Sequence, residues 1–154
     1  MVYELEIKNL EDLKKLAFIV KDYVFKGFVL CLGGELGAGK TTFTQFFGQS
    51  LGIDEPIHSP TFTIMKNYDG IDLPLSHIDA YRLEGMHQDM ELEEYIFGEG
   101  ISVIEWYAFI DESLPENYLS IHLEFTGETS RKVLLEGSGV YESIAKKISN
   151  RYRN

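Results

Sequence analysis

Apolar and polar residues alternate from Val2 to Ile7 with the period of two that a half-buried strand requires. The period then lengthens. Leu10, Leu13, Leu16, Ala17, Val20 and Val24 recur at helical spacing behind Asn9, a capping residue, with Glu11 and Asp12 in the first turn; Gly27 stops this helix. The unbroken apolar run Phe28 to Leu32 predicts a strand buried on both faces. A second helix is expected from Lys40 to near Gly52, a residue suited to the left-handed position past a helix end. Thr61 to Tyr68 and Pro74 to Asp79 read as two strands joined around the turn-forming pair Asp69-Gly70. Residues 84–99 are polar and acidic, with a short surface helix expected from Gln88 to Tyr95. Ile101 to Ile104 forms another buried strand. Two more follow at about 118–125 and 131–136, turned by Gly127-Glu128-Thr129, before a closing helix from Val140 to about Ile148. Strands and helices that alternate in this way predict an α/β fold.

Composition narrows the class. With 154 residues, 44% hydrophobic and 13% aromatic, the chain fits a single domain able to bury a sheet between helix layers. One cysteine cannot form a disulfide framework or a cysteine-rich zinc site, and Cys31 reads as a small core residue in its strand. No basic-then-apolar leader and no run long enough to cross a bilayer are present, so a cytoplasmic protein is expected. Acidic residues number 25 against 14 basic, a net charge of −11, which opposes unaided binding to a nucleic acid backbone. Such a surface suits either a basic protein partner or simple solubility.

The chemistry lies directly behind the second strand. Gly34-Glu35-Leu36-Gly37-Ala38-Gly39-Lys40-Thr41 matches G-x-x-x-x-G-K-[ST] with a buried strand before it and a helix after it. Glycines at 34, 37 and 39 permit backbone conformations in which successive N–H groups turn inward as an anion nest. The first N–H groups of the following helix have no intrahelical partner and add to that field. Lys40 supplies a mobile positive charge for β- and γ-phosphates, and Thr41 offers a hydroxyl to Mg²⁺. Holding the metal takes acidic partners, and two strands end on one: Asp79 and Glu105. Open parallel sheets gather ligands at the carboxyl ends of their strands, so both acids could converge on one metal.

Other residues leave alternatives open. Ser59 or Thr61, in His58-Ser59-Pro60-Thr61-Phe62-Thr63, could reach metal or water, while Ser59-Pro60 on composition alone is an ordinary turn. His58 and His77 lack the spacing of a metal site and read as surface or hydrogen-bonded residues. Trp106 could pack beside the site, against a partner, or in a core or rim. Arg82 is a candidate transition-state cation, with an exposed salt bridge as the plainer reading.

Taken in order, Gly34 through Phe43, Ser59-Pro60-Thr61-Phe62, His77 through Arg82 and Glu105-Trp106 closely resemble the TsaE (YjeE) family, over about residues 28–137. These are bacterial ATPases needed to make threonylcarbamoyladenosine in tRNA. The resemblance implies a three-layer P-loop nucleotide hydrolase fold with a mostly parallel central sheet and antiparallel strands added. It implies ATP and Mg²⁺ as ligands, TsaB and TsaD as partners, TsaD transferring the threonylcarbamoyl group, and tRNA met only through that complex. By the family pattern Thr41 and Glu105 hold the metal, residues 37–42, Thr42 included, wrap the phosphates, Asp79 matters for hydrolysis, and Arg131 lies near the adenine. The chain departs from the family in Glu35, often Asp, and in Tyr107, often Pro or Ser. Neither touches a phosphate or metal role.

Lys40, Asp79 and Glu105 are thus the expected catalytic group. Asp79 either orients the attacking water or shapes the metal's outer shell. Hydrolysis by the chain alone is expected to be slow and partner-stimulated if no cationic finger is supplied in cis. A small-molecule kinase would share the phosphate loop but bring an arginine-bearing lid, and residues 84–99 contain no arginine. A GTPase needs an Asn-Lys-x-Asp reader, which Asn67-Tyr68-Asp69 is not. A non-catalytic module that binds ATP to hold an assembly together is the remaining alternative.

Overall fold

A computed structural model of the chain describes residues 1–35, 37–58, 65–79, 96, 98–105 and 114–154. Seven strands form one sheet: β1 (Val2–Ile7), β2 (Val29–Gly34), β3 (Met65–Tyr68), β4 (Leu75–Asp79), β5 (Ile101–Glu105), β6 (Leu119–Phe125) and β7 (Arg131–Gly137), in the order β1-β7-β6-β2-β5-β4-β3. The centre, β6-β2-β5-β4, is parallel. Antiparallel partners extend it on both sides, β7 and β1 beyond β6 and β3 beyond β4. Among the described residues the helices are α1 (Leu10–Lys21), α2 (Lys40–Ser50) and α3 (Val140–Arg153). The α/β fold with a parallel centre and added antiparallel strands is therefore observed.

Burial follows strand type. β2 and β5 bury four and five consecutive residues, because the parallel centre is covered on both faces, whereas β6 alternates buried and half-buried positions. All three described helices pack on one face. There Leu16, Ala17 and Val20 of α1, Phe43 and Phe47 of α2, and Ile144, Ala145 and Ile148 of α3 join Leu30, Leu32, Val103 and Ile121 of the sheet in one cluster. On the opposite face Val29, Cys31, Ile78 and Ile104 pack with Ile96, Leu114 and Tyr118. Cys31 is a buried core residue, as its strand position implies. The expected helix over Gln88 to Tyr95 and the first half of the strand expected from Thr61 lie outside the described residues.

Local details follow from the side chains. Asn9 caps α1 by accepting a hydrogen bond from the Asp12 N–H at 3.0 Å, and Asp12 in return accepts from the Lys8 N–H at 2.9 Å. Gly52, at φ 81°, takes the left-handed position just past α2. Three expectations need correction. α1 ends at Lys21, with Asp22 as its C-cap, so Val24 lies beyond the helix rather than on its face. Leu10, counted on the buried face of α1, is 63% exposed, because it stands at the first turn where the helix overhangs a cavity rather than the sheet. The last helix runs to Arg153 rather than Ile148, because Ser149 and Tyr152 continue the buried stripe through an otherwise polar tail.

Tyr152 ties that tail to the first strand. Its hydroxyl donates to the Glu6 carbonyl at 2.6 Å, and Lys15 Nζ donates to the Tyr152 carbonyl at 2.9 Å. Burial, and next the negative charges of Asp12 and Glu6, push the Tyr152 phenol up to about 12. The folded state thus favours the neutral phenol more than the unfolded chain does, where it ionises near 10. The resulting stabilisation is complete below about pH 10 and is lost as pH rises through about 12. Melting temperatures measured across this range should fall less steeply for Tyr152→Phe than for the unaltered chain; parallel slopes would contradict this.

Candidate functional site

Because β2, β5 and β4 are parallel neighbours, their carboxyl ends lie on one edge of the sheet. In register, Leu32 sits opposite Glu105 and Glu105 opposite Asp79. Adjacent strands are about 5 Å apart, so the two acids lie side by side, one strand over from the start of the glycine loop. Alternation along each strand sends Asp79 and Glu105 to the face that carries α2, the face of Leu75 and Val103. Two expected site residues far apart in sequence are thereby brought to the loop.

The loop has the geometry that its glycines permit. Gly34, Gly37 and Gly39 have φ of 134°, 83° and 115°. Gly34 is required twice over, since a Cβ there would also approach the Leu123 carbonyl oxygen to 2.5 Å where β2 passes β6. Gly39 caps α2 without a side chain, and the first turn of α2 holds no acidic residue. The helix's leading N–H groups and its dipole are left for an anion. Thr41 and Thr42, both half-buried, stand in that first turn, and Ala38 is buried beneath the loop while Glu35 and Gly37 are exposed. Leu36 lies outside the described residues.

Lys40 is 6% exposed and reaches back over the loop, its Nζ donating to the Gly34 carbonyl at 2.7 Å and the Glu35 carbonyl at 3.1 Å. Burial lowers the pKa of its ammonium below the usual lysine value; the charges of Glu105 and then Asp79 act in the opposite direction. A positive charge is thus held at the loop with its desolvation only partly compensated. An incoming polyanion would supply the rest.

Glu105, 3% exposed, is bonded to His77, fully buried, with Nε2 to Oε2 at 2.5 Å. Of the two readings, surface or hydrogen-bonded, His77 takes the second. The signal was its position two residues before Asp79 on one strand, which puts both side chains on one face. His58 is exposed. Among the described residues no cluster of three or more His, Cys, Asp or Glu side chains forms a metal cage. What the site offers is oxygen: the Thr41 hydroxyl and two carboxylates beside an anion nest. That set suits Mg²⁺, which is usually held by one or two carboxylates together with substrate phosphates.

Arg131, at the start of β7, clamps the loop from the other side. Its Nε donates to the Ala38 carbonyl at 3.0 Å, Nη1 donates to the carbonyls of Gly127, Glu128 and Ser130, and the guanidinium lies 4.3 Å above the Phe125 ring centre. A cavity of about 680 Å³ opens between this clamp and α1, walled by Ile7, Asn9, Leu10, Ala38 and Arg131. That size accommodates a nucleoside-sized group. Ser59, Thr61, Arg82, Trp106 and Tyr107 lie outside the described residues. No described helix is long and apolar enough to cross a membrane.

The chain is similar to known proteins over most of its length. A family model described as "Threonylcarbamoyl adenosine biosynthesis protein TsaE" matches residues 7–133. A tRNA threonylcarbamoyladenosine biosynthesis protein TsaE of Bacillus subtilis is 41% identical over 142 residues, covering 92% of this chain and 90% of the relative. Proteins of the same name from Nostoc sp. and Treponema pallidum are 38% and 35% identical, covering 79% and 82% of this chain and 78% and 94% of themselves. The crystal structure of Bacillus subtilis YdiB superposes with a TM-score of 0.83 at 34% identity, covering 100% of this chain and 97% of that one.

The tight passage of Gly34 beneath β6 makes it a sensitive probe of the loop. Gly34→Ala should destabilise the fold by ~1–3 kcal/mol, from the strained backbone and the encounter with Leu123. An unchanged urea midpoint would show that the loop does not depend on this close approach.

Proposed function

This chain belongs to the TsaE family of threonylcarbamoyl adenosine biosynthesis proteins, and from that premise we propose that it is a Mg²⁺-dependent ATPase serving threonylcarbamoyladenosine modification of tRNA, acting with the TsaB–TsaD pair. One observation carries the reading: a buried lysine on a glycine loop, at a bare helix N-terminus, faced by two carboxylates from neighbouring parallel strands. This is the charge pattern that a metal-bridged triphosphate completes.

Each residue has a place in that chemistry. The loop N–H groups of residues 37–42 and the leading turn of α2 receive the β- and γ-phosphate oxygens, and Lys40 adds its charge to them. Thr41 and Glu105 would hold Mg²⁺, directly or through its water. When bound there, Mg²⁺ would supply Lewis-acid stabilisation of the negative charge on the phosphates. Asp79, half-buried beside Glu105, either orients the attacking water or hydrogen-bonds to the metal's outer shell. The cavity bounded by Leu10, Asn9 and Arg131 receives the adenine, which accounts for a large apolar side chain left exposed at its mouth. Arg131 then serves twice, as a wall of that cavity and as the clamp on the Ala38 carbonyl. A cytoplasmic setting agrees with this role.

Hydrolysis by the chain alone is slow in this reading, and a cation supplied by the partner pair completes the site. Phosphate release from ATP should rise at least ~10-fold when TsaB and TsaD are added, a modest part of what a trans cation can contribute. Equal rates with and without the pair would sink the partner role. Docking to the pair without any phosphate release would favour a non-catalytic assembly module.

Lys40→Ala should reduce ATP turnover by ~100-fold or more, since it removes the one side chain on the loop that meets the transferring phosphoryl group with full charge. Undiminished turnover in a purified variant would remove Lys40 from the mechanism.

A further inference from the structure

We propose that His77 is a positioning residue: a ring buried beneath the site that fixes the Glu105 carboxylate through its Nε2–H, so that the other carboxylate oxygen is presented to the metal. This rests on the preceding reading of Glu105 as a metal-holding group, and it adds to that group a residue whose only reading so far is a hydrogen bond.

The geometry carries it. His77 stands opposite Val103 in the parallel register of β4 and β5, so Glu105 is its diagonal neighbour on the same face, two residues further along β5. That diagonal is within reach of a long side chain. The ring is fully buried, the carboxylate nearly so, and Nε2 meets Oε2 at 2.5 Å while no hydrogen bond of Oε1 to a described residue is found. Lys40 directs two of its three N–H donors to the Gly34 and Glu35 carbonyls. A carboxylate so far out of water needs a donor to hold one rotamer, and His77 is that donor among the described residues.

The tautomer follows. Nδ1 of His77 is buried without a hydrogen-bond partner among the described residues. As a bare acceptor it loses one weak bond, whereas a second N–H there would be a buried donor unmet. The arrangement therefore suits a neutral ring with its proton on Nε2, a donor that orients the carboxylate without cancelling its charge. Donors of this kind behind a metal-holding carboxylate set its orientation and its basicity.

The test separates metal from nucleotide. With the full-length protein, calorimetry would measure ATP binding in EDTA and then the Mg²⁺ concentration at which that binding tightens. His77→Ala should raise the Mg²⁺ midpoint ~10-fold or more while leaving affinity in EDTA within about twofold, and His77→Gln, which keeps an N–H donor, should recover most of the shift. A role confined to packing would instead lower affinity in both conditions and would not be rescued by Gln. An unmoved Mg²⁺ midpoint in His77→Ala overturns the proposal and leaves the ATPase reading intact. Failure of the unaltered protein to show any Mg²⁺-assisted ATP binding overturns that reading, and this inference with it. Nitrogen-correlated NMR of the unaltered protein provides a check that needs no variant. The expected signature is a slowly exchanging ring proton on the Nε2 of His77; a bare Nε2 or a freely exchanging proton rules the arrangement out.

Discussion

Buried charge governs this molecule. The charged groups Lys40 and Glu105 are removed from water, the lysine received by the Gly34 and Glu35 carbonyls and the carboxylate by the buried ring of His77. The sheet makes such a grouping affordable. Parallel strands end together, and a loop that leaves β2 at Gly34 returns its lysine to the same edge on which β4 and β5 deliver their carboxylates. Burial lowers the Lys40 pKa while Glu105 and Asp79 oppose it, so the lysine and the two carboxylates form one electrostatic group.

The described helices serve this edge. All three described helices lie on one face and share a single apolar cluster, so α2 is held from below by Phe43 and Phe47 while its first turn is left bare of capping side chains. α1 closes the other side. Its N-terminal turn hangs over the cavity beside Ala38 and leaves Leu10 in solvent, a cost that an isolated packing argument would not predict. Helices that are firmly packed at their far ends can keep their near ends open for a ligand.

The antiparallel margin contributes rigidity as well as area. Arg131 starts β7, stacks on Phe125 at the end of β6, and bonds to the carbonyl of Ala38 inside the glycine loop. The hairpin is thus coupled to the loop by a planar, multiply bonded cation that lysine could not imitate. Strand β1 completes the margin and is stitched to α3 by the Tyr152 hydroxyl, so the two ends of the chain stabilise one another.

What the chain determined by itself was whatever depends on neighbours in sequence. The strand–glycine loop–helix unit was legible because its chemistry fits within a few residues, and the cap at Asn9, the left-handed Gly52 and the alternation in β6 are likewise local. Glu105 and Asp79 were legible as acids ending strands, since a polar residue after an apolar run marks a carboxyl edge. The tertiary structure decided what depends on register and on which face is covered. It put Asp79 opposite Glu105, turned His77 from an unremarkable histidine into the buried donor to that carboxylate, exposed Leu10, and carried the last helix on to Arg153. Periodicity tells which residues share a face, but not what that face meets; only strand order and packing supply the partner, and with it the charge, the hydrogen bond and the role.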